Sequence, residues 1–178
     1  MLYNSGLSGA ESAFCDAAEK WNVGCTVLSF AGLTPARQHN RIDLTAEELQ
    51  RGDISMDLVS KMMHRTYYEA EKIRKVLQVI FHIVNRGHQV FAVGTILEDK
   101  TVKGGTGWAV ELAKFFNRPL AVYDQVRKGW FVWRENDWHK ETSVRISYDT
   151  FVGSGTRYLN DDGLEAINAL FQDSFGSV

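Results

Sequence analysis

Short apolar runs alternate along this chain with stretches whose apolar residues recur every three to four positions, and glycines mark most of the changeovers. Met1 to Tyr3 reads as a truncated first strand. Ala10 to Trp21 follows, with Ala13, Phe14, Ala17, Ala18 and Trp21 on one helical face and Asn22-Val23-Gly24 closing it. Cys25 to Phe30 is short, apolar and partly β-branched, which predicts a strand with Ala31 to Pro35 as its exit turn. From Ala36 to Asp57 the pattern weakens into a surface excursion, although Thr45-Ala46-Glu47-Glu48 has the form of a capping box for a short helix. Asp57 to Arg86 is rich in helix formers and ends at Gly87, as one long helix or two. Its expected buried positions are Leu58, Met62, Tyr68, Ile73, Leu77, Ile80, Phe81 and Val84.

The alternation continues in the second half. Gln89 to Val93 is a short apolar strand, and Gly107 to Phe116 is a helix stopped by Asn117-Arg118-Pro119. Leu120 to Tyr123 is a buried strand, with Trp130 to Trp133 returning across Arg127-Lys128-Gly129. Thr150 to Val152 runs into Gly153-Ser154-Gly155-Thr156-Arg157, and Asp161 to Phe171 forms a last helix with Leu164, Ile167, Leu170 and Phe171 turned inward. Strands alternating with helices predict an α/β layered fold on a mainly parallel sheet. With 178 residues and 44% hydrophobic content, residues 1–178 are expected to close one core as one domain.

Charge narrows the function classes. The 20 basic and 22 acidic residues leave a net charge of −2 without a block of either sign, which argues against a general nucleic-acid or anionic-membrane binder. The longest apolar stretch, Val76 to Val84, is too short to span a bilayer. Met1 to Asn4 enters a glycine turn at once, so no secretory signal is expected, and a cytoplasmic location follows. Cys15 and Cys25 have no Cys-x-x-Cys spacing and read as reduced, packed thiols. The five histidines show no metal-ligand spacing, and no metal or cofactor is assigned.

Three glycine-rich turns carry the candidate chemistry: Ser5 to Gly9, Lys103 to Gly107 and Gly153 to Arg157. Glycines between a strand and a helix let backbone N–H groups approach a ligand, and the helix start favours an anion, so such turns point to a nucleotide-type small molecule. Gly104, Gly105 and Gly107 would offer amides and Thr106 a hydroxyl, or the turn would merely pack strand on helix. Ser5, Ser8 and Glu11 are the first-loop candidates, with Ser8 also suited to a helix N-cap. Arg157 can reach a phosphate bidentately or pair with Asp161 or Asp162. Trp130, Trp133 and Trp138, with Phe131 and Tyr123, can stack on a base, fill the core or form an oligomer contact.

Lys103-Gly104-Gly105-Thr106-Gly107-Trp108-Ala109-Val110-Glu111 resembles the Pro-Gly-Gly-x-Gly-Thr-x-x-Glu motif of the lysine-decarboxylase-like LOG proteins, with Lys103 in place of Pro and Trp108 in place of Thr. Ser5-Gly6-Leu7-Ser8-Gly9-Ala10-Glu11 is similar to the Ser-Gly-Gly-x-x-Gly-x-Asp start of YpsA-like and molybdenum-cofactor-carrier proteins, one residue shorter. Both belong to the SLOG superfamily, and the resemblance spans the first thirty or so residues and Gln89 to Tyr123. It implies a Rossmann-like three-layer sandwich that binds nucleotides through Ser5, Gly6, Ser8, Gly9, Gly104, Gly105, Thr106 and Gly107, often as a homo-oligomer, and the third turn adds Arg157 as a binding candidate. Two functions follow from the family. One is a sensor, carrier or sequestering protein for a nucleotide-derived molecule. The other is a phosphoribohydrolase-like N-glycosidase acting on nucleoside monophosphates, with Glu111 and Arg74 catalytic. Arg74-Lys75 lacks the Met-His that precedes the family's arginine. Glu111 can also simply pair with Lys114.

Overall fold

Runs without a polar face become the inner strands of the sheet. In the computed structural model, which describes residues 1–178, β1 (Leu2–Asn4) is followed by α1 (Ala10–Lys20) and β2 (Cys25–Ser29). Next come β3 (Ile42–Asp43), α2 (Ala46–Gln50), α3 (Asp53–Met63) and α4 (Glu71–Arg86). The second half adds β4 (Gln89–Gly94), α5 (Thr106–Phe115), β5 (Leu120–Asp124), β6 (Gly129–Arg134), β7 (Asp137–Glu141), β8 (Phe151–Gly155) and α6 (Asp161–Phe175). Every residue of β2, β4 and β5 is buried, as parallel strands covered on both faces require.

The result is an α/β fold on one eight-stranded mixed sheet in the order β3-β2-β1-β8-β4-β5-β6-β7. Neighbours from β3 to β5 are parallel, and β6 and β7 add an antiparallel edge. Alternate residues feed two cores. Phe91, Val93, Ala121 and Phe151 meet α1 and α6, centred on Phe14 and Phe171. Val90, Ala92, Val122 and Val152 meet α3, α4 and α5 on the opposite face. No helix is long and apolar enough to cross a membrane.

Several expectations change on the three-dimensional background. Gly153 to Gly155 is not a turn but the body of β8, paired on one side with β1 and on the other with β4. The long helical stretch breaks at His64, whose left-handed φ of 55° ends α3 and resets the phase before α4. Leu58, Met62, Tyr68 and Ile73 are therefore exposed, while α3 buries Met56, Val59 and Met63 instead. Leu164 is exposed as well, because α6 turns Ala166, Ile167, Leu170 and Phe171 to the core. The stretch before Asp57 is more than a surface excursion, since Leu44, Leu49 and Met56 enter the core. The capping box forms there, with Thr45 Oγ1 accepting from the Glu48 amide and Glu48 Oε2 from the Thr45 amide.

The central strand is glycine-rich because the Phe14 ring of α1 lies directly against Gly153, where an added Cβ would collide with it. Gly153→Ala is expected to destabilise the protein by about 1–3 kcal/mol through overpacking, with part of the loss recovered by Phe14→Leu in the same chain. Urea denaturation of the single and double variants measures both effects.

Candidate functional site

The sheet order places a crevice at the carboxyl ends of its central strands. From β1 the chain leaves into α1 on one face, and from β4 into α5 on the other, which opens the space between their loops. Strand β8 lies between β1 and β4, so the loops after β1, β4 and β8 converge there. Together with α4 they enclose a hollow of about 500 Å³, within the range of small-molecule sites.

Of the candidate binding residues, Ser5, Ser8, Gly104, Gly105, Thr106 and Arg157 line this hollow. The amides of Gly104, Gly105 and Thr106 find no hydrogen-bond partner within the chain, nor do those of Ser8 and Gly9. Gly104 adopts a φ of 71°, a conformation that glycine tolerates without strain. Arg65 fixes the loop from behind: Nη1 donates to the Gly104 carbonyl at 3.0 Å, and Nη2 to the Val102 carbonyl at 2.7 Å and Thr101 Oγ1 at 3.1 Å. The Gly107 amide donates to the same Gly104 carbonyl at 3.1 Å, which leaves the amides of Gly104, Gly105 and Thr106 as the unpartnered ones of the loop.

Gly6, Gly9 and Gly107 serve as packing positions and do not line the hollow. A Cβ at Gly107 would strike the Val102 carbonyl and Arg65, and one at Gly9 would strike the backbone of Thr156 and Arg157. The Gly6 amide is taken by Asn4 Oδ1 at 2.9 Å. Fully buried Asn4 also donates from Nδ2 to the carbonyls of Glu11 and Gly153, joining the first loop to α1 and β8. Ser8 is not the N-cap of α1; Gly9 occupies that position without a side-chain cap.

The two proposed catalytic residues lie elsewhere. Glu111 shares a helical face with Gly107, but that face turns toward the Val102 carbonyl and Arg65, and its carboxylate pairs with Lys114 at 3.2 Å. Arg74 sits 3.3 Å from Asp53 and over the Tyr67 ring, outside the hollow. The tryptophans are absent from the hollow too. Trp130 packs on Phe91 and Tyr123, while Trp133 and Trp138 flank the Lys114 ammonium.

The carboxyl group in the hollow belongs to Glu11. Its Oε2 accepts from the Leu7 amide at 3.1 Å, beside the Ser154 hydroxyl. Burial raises its pKa to about 7, against the opposing pull of the Leu7 and Ser5 amides and the Ser154 hydroxyl. Lys103 and Arg157 border the same space, and neither has a carboxylate partner, Asp162 being held by Lys128. Sequence reasoning missed Asn4, Arg65 and Ser154. An asparagine closing a strand before a glycine turn was the one legible signal among them. Below the first loop, Cys15 and Cys25 are free, buried and 3.3 Å apart.

No family model, curated protein or solved structure matches this chain.

Because folded Glu11 holds its proton up to about pH 7 while the unfolded chain releases it near 4.5, the protein loses stability as pH rises through that window. The loss is expected to be roughly 3 kcal/mol relative to Glu11→Gln, which does not titrate. Denaturant unfolding of both proteins from pH 4 to pH 8 checks this; parallel profiles would refute it.

Proposed function

We propose that the hollow binds a nucleotide-derived small molecule by its phosphate, in a Rossmann-like three-layer fold of SLOG type, and that the protein acts as a sensor, carrier or sequestering protein. One observation carries this reading. The three consecutive unpartnered amides of Gly104, Gly105 and Thr106 at the start of α5 border the same space as the unpaired cations Lys103 and Arg157. Amides at a helix N-terminus with adjacent cations supply both the geometry and the charge that a phosphate needs. The crevice position at the strand-order reversal supports the same assignment.

A second reading is favoured by Glu11. A carboxyl group that keeps its proton near neutral pH can protonate a departing base, which is the task of a general acid in N-glycosidic hydrolysis. Hydrolysis would then rest on Glu11, with Glu111 and Arg74 in structural roles.

Calorimetric titration with a panel of nucleoside monophosphates separates these outcomes. Binding without release of free base supports the first reading, and release that disappears in Glu11→Gln supports the second. Lys103→Ala and Arg157→Ala are each expected to weaken phosphate binding about tenfold, as the loss of one charge-assisted contact. Affinity is expected to fall as pH rises through about 7 and Glu11 gains its negative charge, a fall absent in Glu11→Gln. Failure of every phosphate-bearing nucleotide to bind would refute the proposal.

A further inference from the structure

A second hollow, of about 630 Å³, opens on the other side of the Gly104-Gly105 pair. Val76, Leu77, Gly104 and Gly105 border both spaces, so only the glycine pair and the flank of α4 divide them. The two differ in chemistry. The first presents amides, hydroxyls, Glu11, Lys103 and Arg157, whereas the second sets Tyr68, Ile73 and Trp108 along one wall, with Thr66 and the cations Arg65 and Lys72 beside them. Tyr68 and Ile73 are each about half exposed, at 51% and 49%, although both are large and apolar. The Arg65 guanidinium keeps its charge but directs its N–H groups at the carbonyls of Gly104 and Val102.

The divide itself is low. A Cβ built on Gly104 or on Gly105 meets no atom within 4 Å, so the space above the pair is open to a ligand that crosses it. A molecule held by its phosphate at the Gly104 to Thr106 amides therefore has an apolar recess immediately beside it. Flat aromatic groups suit such a recess, since their faces stack on apolar and aromatic side chains while their polar edges stay toward the open side.

We propose that this second hollow seats the base of the nucleotide whose phosphate occupies the first, against Ile73, Tyr68 and Trp108. The assignment rests on the phosphate-binding reading above and adds the position and chemistry of the second subsite. Specificity for the base then comes from the α3–α4 connection and the first turns of α4, and not from the tryptophans of β6 and β7.

The test compares three probes by calorimetry on the intact protein: adenosine 5′-monophosphate, uridine 5′-monophosphate and ribose 5-phosphate. At least one nucleotide is expected to bind tenfold or more tightly than ribose 5-phosphate. In the variant carrying Tyr68→Ala and Ile73→Ser that advantage disappears, while the affinity for ribose 5-phosphate stays within twofold. Both positions are half exposed, and an unchanged ribose 5-phosphate affinity itself reports an intact fold. Equal binding of all three probes, or a nucleotide advantage that survives in the variant, would overturn the second subsite and leave the phosphate site standing. Binding of none of the three would overturn both.

Discussion

Backbone proximity at the centre of the sheet is the constraint on which the site depends. Strand β8 is hydrogen-bonded to β1 on one side and to β4 on the other, and its second half, Gly153-Ser154-Gly155, carries only small side chains where α1 and β4 crowd it. Gly153 leaves room for the Phe14 ring, and Gly155, with a φ of 152°, leaves room for Ala10 and the Val93 backbone. The Ala10 amide then donates to the Thr156 carbonyl, which fixes the start of α1 against the end of β8. Three loops with no contact in sequence become the walls of one space.

Electrostatics within that space follow from burial more than from net charge. Glu11 is drawn into the protein beside Ser154 and carries a raised pKa, whereas Lys103 and Arg157 are exposed. At neutral pH this balance leaves the hollow favourable to an anion, with one titratable group deep within it. The fold supplies the remaining attraction through amides that cost no side-chain ordering.

Most elements were legible because each relies on a local signal. The alternation of apolar runs located β1, β2, β4, β5, α1, α5 and α6, and the capping box located α2. Edge strands gave no such signal: β7 reads Asp-Trp-His-Lys-Glu, and its strand character comes from pairing with β6. The same distinction separates Glu11 from Glu111. Helical spacing correctly placed Glu111 on the face of Gly107, but spacing fixes only relative phase, and packing aimed that face at Arg65 and the Val102 carbonyl. Arg74 likewise sits on α4 at a position governed by Asp53 and Tyr67, which are distant in sequence. The exposed amides of the glycine pair in the second turn were readable because they depend only on local backbone geometry.

The anchoring of the Gly104 loop by Arg65 spans 39 residues of chain. The rigidity of the loop is thus borrowed from a connector between two helices on its own face of the sheet, and the clearance for the guanidinium comes from the missing side chain at Gly107. A change of length or composition in that connector would alter the grip on the loop without touching a single residue within it. Substitution at Arg65 alone would release the backbone of the loop, with the glycine motif itself unaltered.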